Sequence, residues 1–440
     1  MTFVRNTIIS VLLYGLTTLL NLGISAVIAR GLGPAGQGAY TLLMLFGVIV
    51  SLIINFGLGQ SAVYFVGRGT YQAQHVAGNL LTMSGAIGVA ATLLLVVAQP
   101  WYGPLAFKSI PSEFVLAVVL LTPFALGRMY AEHMFVALQD FAWNSGLNIV
   151  DLMLRLVLLL VLLPFGAGLR GAVAAIVAGT VVSAVVGWVL IRRRLGKLRV
   201  AADSTLIKDF STYGVRSYIT VFLNFLNLRF DQFLVGFFLT LDQVGIYLVA
   251  VVIAEVAMKF SAVVAKILFA NVANLDANSA TQLTGRTMRI TLIFASVSVV
   301  MLALIGPLLI RGIFGAAFVG ATVPLRLLLP GALLFNFTQV LYSDLAGRGL
   351  PGVGILAALA SLAVTVAGNL WLTPRMGVEG AALVSSIAYG VGALVIVFKY
   401  LGATGQSLGS LLLVTREDLR MIRDSIASGW RVARLKLGGA

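Results

Sequence analysis

The amino-acid sequence predicts an all-α membrane protein of about twelve transmembrane helices, arranged as two six-helix bundles. Its composition supports this, because 60% of the residues are hydrophobic and 10% are charged, whereas a soluble domain carries roughly 25% charged residues. Apolar runs recur along the chain, and about 20 such residues cross the hydrocarbon layer as a helix. An internal repeat is the third observation, and it predicts that the bundles are equivalent.

The candidate spans are helices rather than strands of a barrel. Barrel strands alternate over about ten residues, and apolar runs such as 87–98 and 152–163 do not alternate. In hydrocarbon, the helix is then the remaining way to pair every backbone group. The predicted spans are 7–29, 39–66, 78–98, 114–137, 147–164, 170–191, 216–239, 244–268, 287–310, 322–343, 353–373 and 379–401.

Positive charge predicts the orientation. Lys and Arg concentrate at the end of the sixth span and in the connector after it, with Arg192, Arg193, Arg194 and Lys197, and in the C-terminal tail. Such residues stay on the cytoplasmic side. An even number of spans then puts both termini in the cytoplasm and makes the chain a multi-pass protein of the cytoplasmic (inner) membrane. The net charge of +15 is explained by these segments and by anionic membrane lipids, so no nucleic-acid partner is expected.

Residue usage also limits the chemistry of the chain. The absence of cysteine excludes disulfides and thiolate metal sites, and the only histidines are His75 and His133. We therefore expect neither a metal site nor a cofactor.

The chain is predicted to divide into four parts. These are an N-terminal six-helix bundle (1–195), a cytoplasmic connector (196–213), a C-terminal six-helix bundle (214–402) and a basic amphipathic tail (403–440). In the tail, Leu419, Ile422, Ile426 and Trp430 share one helical face with arginines around them, a pattern that suits a helix in the headgroup region. The alternative is a solvated basic tail.

Three pairs of landmarks repeat on the two sides of the connector at an offset of about 207 to 209 residues. They are 38–40 with 245–247, Pro123 with Pro330, and 168–172 with 377–381. Because each half holds an even number of spans, the repeats run parallel and are related by a pseudo-two-fold axis along the membrane normal. Such a pair of bundles is expected to enclose a central cleft.

Polar residues within the first and seventh spans mark the faces expected to line this cleft. They recur at steps of three and four, and so fall on one face of each helix. The candidate binding residues from these stripes are Asn21, Asn224, Asn227 and Asp231. The alternative is that these groups hydrogen-bond to neighbouring helices.

Charged residues inside the spans form a second set of candidates. Three acidic residues, Glu132, Asp151 and Glu255, each have a basic residue four positions away, where the pair shares a helix face. They are candidates for coupling to a proton or sodium ion, and mutual neutralisation is the alternative. Arg30, Arg216 and Arg229 lack such partners and favour a ligand with phosphate groups, although Arg30 also suits an interfacial anchor.

Three segments resemble a known superfamily. They are Ala29 to Tyr40, Arg229 to Gly236 continuing to Val244 to Tyr247, and Gly377 to Ala382. Together they are similar to the multidrug, oligosaccharidyl-lipid and polysaccharide exporter superfamily, and specifically to its polysaccharide or O-antigen flippase branch. The resemblance extends over essentially the whole chain, and Arg30, Arg229 and Asp231 fall on its motif positions.

The resemblance implies a V-shaped pair of bundles that moves a polyprenyl-diphosphate-linked oligosaccharide to the outer leaflet by alternating access. It also implies a cationic central cavity and coupling to a proton or sodium gradient. No catalytic residue is implied, because a transporter changes no covalent bond.

Two other functions remain open. A multidrug or cation antiporter of the same superfamily would share the architecture but would use cavity carboxylates to bind cationic drugs. A membrane glycosyltransferase, polymerase or ligase would need a large external loop or a carboxylate cluster outside the membrane, and the sequence contains neither.

Overall fold

A computed structural model describes residues 2–198 and 203–413, and the regular elements among them are helical. This confirms the predicted all-α fold. Residues 414–440 of the predicted basic tail, which include its amphipathic pattern, lie outside the described residues. The helices are α1 (Thr2–Asn55), α2 (Leu58–Gly67), α3 (Ala73–Ala106), α4 (Ser112–Leu120), α5 (Thr122–Ala137), α6 (Phe141–Leu162), α7 (Gly168–Leu195), α8 (Ser204–Phe238), α9 (Leu241–Val272), α10 (Ala277–Leu309), α11 (Thr322–Gly347), α12 (Gly352–Thr404) and α13 (Leu408–Leu412), with a π-helical turn at Ile310–Phe314 and a 3-10 helix at Ala316–Ala321.

Within the described residues, eight helices are long and apolar enough to cross a membrane. The number is nine if α4 and α5, which meet at a 41° bend, together form one span. The seventh predicted span, 216–239, falls in α8, which carries several charged residues and is not among these helices. The chain is therefore a multi-pass membrane protein, and the number twelve stays a prediction.

Glycine kinks explain why two helices, α1 and α12, each cover two predicted spans. α1 changes direction at Gly33 (φ 69°) and α12 at Gly377 (φ 60°), in a backbone region that residues with a Cβ atom rarely adopt. The kinks fall between the first and second predicted spans and between the eleventh and twelfth. Gly168, the repeat partner of Gly377, also has a positive φ of 55°, so the first glycines of the third pair of landmarks share a positive φ.

The residue contacts divide the chain into two compact units. The first unit runs to Val249 and includes Leu309–Gly320, and the second contains Ala250–Leu308 and the chain from Ala321 onward. The four-part division based on the sequence stays a prediction.

In the first unit, the described part of the connector packs firmly against the helices before it. Leu206 and Phe210 at the start of α8 are fully buried within a core that includes Leu58 and Tyr130. Asp203 caps α8 by accepting hydrogen bonds from the backbone at its N-terminus. The start of α8 is thus held by both apolar packing and a side-chain cap.

The second unit has its own core and its own buried charge. Met288, Leu341 and Ile396 are among its fully buried side chains. Asp344 is also fully buried; it accepts a hydrogen bond of 2.7 Å from Thr284 and one of 2.6 Å from Arg348. Because each carboxylate oxygen has a donor, we assign this network a structural role.

Candidate functional site

A buried ion pair lies inside the first unit. Asp151 and Arg155 are one turn apart on α6, so their side chains meet on one face, where Arg155 Nε donates to Asp151 Oδ1 over 2.7 Å. Each side chain is only 4% exposed. A buried charge is tolerated when it is paired and hydrogen-bonded, and this pair meets both conditions.

Neighbouring helices complete the surroundings of the guanidinium. Arg155 Nη2 donates to Thr180 Oγ1 of α7 over 3.2 Å, and Nη1 contacts the Met44 sulfur of α1 at 2.8 Å. A Cβ atom on Gly179 would lie 2.8 Å from Cγ and 2.9 Å from Nε of Arg155. Glycine at this position therefore leaves the space that the ion pair occupies.

A second ion pair of the same spacing lies on α5. Arg128 Nη1 donates to Glu132 Oε1 over 2.6 Å, and these side chains are about a quarter exposed. The backbone carbonyl of Glu132 accepts a hydrogen bond from Asn144 of α6 over 3.1 Å. This pair is more accessible than the pair on α6.

Arg128 and Glu132 of one pair and Arg155 of the other border one cavity of about 130 Å³ inside the first unit. Since a water molecule takes about 30 Å³, this volume suits a few waters or a hydrated ion and is too small for an oligosaccharide. The two guanidinium groups balance the two carboxylates, so the formal charge around the cavity is close to zero. The polar lining residues are Ser51, Thr122, Arg128, Glu132, Arg155 and Thr180.

The structure thus brings two of the three candidate ion-coupling residues towards one cavity. Glu132 lines it directly, and Asp151 holds Arg155, which lines it. Glu255, the third, is half-buried in the second unit. Their role in coupling stays a prediction.

The candidate binding residues of α1 hydrogen-bond to backbone carbonyls, one within α1 and one far along the chain. Asn21 is exposed and donates from Nδ2 to the carbonyl of Thr17 over 2.8 Å. Arg30, also exposed, donates from Nε to the carbonyl of Ile313 over 2.8 Å and from Nη2 to the carbonyl of Gly312. Arg30 therefore binds the π-helical turn that follows α10.

The candidates of α8 differ in exposure. Asp231 is buried, and its Oδ2 accepts a hydrogen bond of 2.5 Å from the hydroxyl of Tyr247. Asn224 is exposed, whereas Asn227 and Arg229 are half-buried. The Arg216 side chain lies outside the described part of the structure. Substrate binding by the residues of α1 and α8 stays a prediction, because the bonds of Asn21, Arg30 and Asp231 run to separate partners.

Sequence reasoning did not identify Thr180, Gly179 or Met44 as neighbours of the ion pair. Gly179 and Thr180 are small residues in an apolar span, which is common where transmembrane helices pack closely. The sequence does show a glycine followed by a threonine within the apolar α7 segment. It does not show which helix these two residues contact, because that depends on the three-dimensional packing.

Solved structures give the class of this fold. The chain is similar to an inward-facing multidrug resistance MATE family transporter of the MOP superfamily, with a TM-score of 0.73 and 16% identity over 91% of this chain and 98% of that one. It is also similar to lipid II flippase MurJ in an inward closed conformation, with a TM-score of 0.74 and 13% identity over 89% and 87% of the two chains. The protein is a helical membrane protein with the MATE and MurJ fold.

Sequence comparison identifies the family. The model described as Polysaccharide biosynthesis protein matches residues 3–269, and the chain belongs to this family. The chain is also 23% identical, over 82% of its length and 76% of the relative's, to a Haloferax volcanii protein named Probable low-salt glycan biosynthesis flippase Agl15. The predicted resemblance to the superfamily is thereby confirmed.

Proposed function

We propose that this protein is a flippase that moves a polyprenyl-diphosphate-linked oligosaccharide across the cytoplasmic membrane by alternating access. The observation that carries the proposal is membership of the polysaccharide biosynthesis family, through residues 3–269. The likeness to a protein named as a glycan biosynthesis flippase points the same way. In this role the chain is a transporter rather than an enzyme, and both termini lie in the cytoplasm.

The residues proposed to bind the substrate divide by chemistry. Arg30, Arg216 and Arg229 supply the positive charge that a diphosphate requires, since guanidinium groups bind phosphate oxygens in pairs. The amides of Asn21, Asn224 and Asn227 are suited to sugar hydroxyls, and Asp231 completes the site. A guanidinium has five N–H donors, so the two carbonyls that Arg30 binds do not exhaust its hydrogen-bonding capacity.

Coupling to a proton or sodium gradient is proposed to use Glu132, Asp151 and Glu255. Of these, Asp151 is held by a buried guanidinium, so an incoming cation would have to compete with Arg155. Glu132 belongs to a pair that is about a quarter exposed, which makes it the more accessible carboxylate beside the cavity.

A multidrug or cation antiporter is the second candidate, because the fold is also that of the MATE transporter. A cationic drug would favour acidic residues in the binding site, whereas three of the proposed binding residues are arginines. Resistance to cationic drugs and export of a lipid-linked glycan therefore distinguish the two functions.

The test is a complementation assay in cells that lack the native flippase. Arg229→Ala and Asp231→Ala are expected to abolish glycan export while the protein remains folded in the membrane. Arg326→Ala is the control, since Arg326 is an exposed arginine of α11 outside the proposed site. Export at the parental rate by both site variants would reject the assignment.

A further inference from the structure

The first helix turn after the α1 kink and the first turn of α9 contact each other in a reciprocal way. A Cβ atom on Gly38 would lie 3.1 Å from the carbonyl carbon of Leu241 and would overlap its oxygen. A Cβ atom on Gly245 would lie 2.8 Å from the carbonyl carbon of Pro34 and would overlap that oxygen. Each glycine thus packs against the backbone one turn earlier in the other helix.

The internal repeat makes this contact symmetric. Pro34 and Gly38 correspond to Leu241 and Gly245 at the same offset of about 207 residues. In a two-fold contact, residue i touches residue j of the other copy and residue j touches residue i. The two sequence halves therefore meet here as a pseudo-symmetric pair, although all four residues belong to the first unit.

A second pair of contacts flanks the glycines with the same correspondence. Arg30 binds the carbonyls of Gly312 and Ile313. Phe237 is the equivalent of Arg30 in the repeat, and the centre of its ring lies 5.2 Å from Nζ of Lys108. A cationic side chain therefore lies on each side of the glycine contact. On one side it is Arg30 of α1, and on the other it is Lys108 of the segment that faces Phe237.

The glycine contact combines a strict steric requirement with weak attraction. Backbone carbonyls of two helices have no flexible side chain that could move aside, so a Cβ atom at either glycine would force the helices apart. The attraction between a Cα–H group and a carbonyl oxygen is weak. Such a contact closes fully only with glycine on both sides. The glycines themselves hold it only weakly, and the hydrogen bonds of Arg30 at the flank are the stronger ones that break when it separates.

We propose that Gly38 and Gly245 form a separable seal at the outer ends of the second helix of each half, which closes and parts once in each transport cycle. This inference rests on the proposed function for its transport step. The predicted topology places both glycines on the extracytoplasmic side. Overpacking of this kind typically costs enough to shift an open and closed equilibrium by about 5- to 150-fold.

The first experiment measures opening without any substrate. The natural chain has no cysteine, so Ala39→Cys, next to Gly38 and 2% exposed, gives a single labelling site. In membranes treated from outside with an impermeant maleimide, we expect slow labelling in the parent. Labelling should be several-fold faster with either Gly38→Ala or Gly245→Ala added, and the pair together should add little, because either change alone prevents closure.

Two controls accompany the labelling. Phe165→Cys, which is 85% exposed in the segment between α6 and α7, reports access to the outer face. Gly85→Ala in α3, where a Cβ atom meets no neighbour within 4 Å, should leave Ala39→Cys slow to react. Equal labelling of Ala39→Cys in the parent and in both seal variants would overturn the proposal.

The second experiment tests whether the seal must part. Lys108→Cys and Phe237→Cys are joined by a reducible bis-thiosulfonate linker, since both residues are exposed and their side chains are close. We expect export to stop on linking and to recover on reduction, and undiminished export by the linked protein would overturn the proposal. If labelling responds as expected while the parent exports no glycan, the proposed function fails and the steric role of the glycines stands.

Discussion

The buried pair of α6 leads to a prediction with a calculable magnitude. Arg155→Met removes the guanidinium and leaves Asp151 as an unpaired carboxylate in a site where the side chain is 4% exposed. Removing one partner of a buried pair costs about 3–5 kcal/mol of unfolding free energy. Loss of the contacts with Thr180 and Met44 is included in that cost.

The double variant separates the charge effect from the loss of packing. Asp151→Asn alone strands the guanidinium and should destabilise the protein by a similar amount. With both substitutions no buried charge remains, so we expect the double variant to be more stable than the sum of the single effects predicts, by about 2 kcal/mol or more. This gain measures the interaction between the two side chains.

The assay is unfolding in mixed detergent micelles, titrated with dodecyl sulfate and followed by circular dichroism. Arg128→Met is the matched control, because its pair has the same four-residue spacing but is about a quarter exposed. An unpaired charge costs less where the site is more accessible, so the control should lose less stability than Arg155→Met. If Arg155→Met unfolds like the parent, or if the single effects simply add, the argument from burial is wrong.

The same variants distinguish a structural pair from a coupling carboxylate. A double variant that folds, exports and still responds to the ion gradient would reject the coupling role proposed for Asp151. A double variant that folds but no longer responds to the gradient would support that role. Stability and coupling are thus measured separately on one protein.

Two further predictions concern single residues of the first unit. Gly179→Ala should lower the free energy of unfolding by about 1–3 kcal/mol, because its Cβ atom would enter the space of the buried pair. Gly85→Ala is the control, since its Cβ atom meets no neighbour within 4 Å; equal stability of the two variants would contradict the prediction. The hydrogen bond with His75 is the main cause that lowers the pKa of Asp203. Ionised Asp203 should therefore stabilise the fold above the ordinary carboxyl pKa of about 3.9, and this stabilisation should disappear as the pH falls through the lower pKa of the folded state. Asp203→Asn should therefore reduce the loss of thermal stability on acidification below about pH 4. The measurement is the melting temperature as a function of pH, and an unchanged decline below that pH would exclude this effect.

The membrane fold was predictable because lipid leaves the backbone few options. Apolar runs of sufficient length have to be helical in hydrocarbon, and composition alone indicated lipid as the solvent. The kinks were less predictable, since a glycine next to a proline, as at Gly33 and Pro34, also suits the loop that the span boundaries implied. In the structure the helix resumes at once, because proline is well suited to a first helical turn.

The candidate site was only partly predictable, since spacing identifies partners on one helix and not on the next. The pairs of α5 and α6 followed from their four-residue spacing and are present as ion pairs. The partner of Arg30 is 283 positions away, and no local pattern indicates such a contact. The cavity depends on how α1, α4, α5, α6 and α7 pack, which periodicity within each helix does not encode.

The repeat clarifies which features belong to the scaffold and which belong to the chemistry of one half. Gly38 and Gly245, and Gly168 and Gly377, keep equivalent contacts or conformations, because their positions are set by backbone geometry. Asp151 has no such equivalent, since Ala358 stands at the corresponding position, and Leu362 replaces Arg155 in the same way. The duplicated sequence thus carries the α6 ion pair in its first half alone, so the coupling role proposed for Asp151 has no counterpart at the corresponding position of the second half.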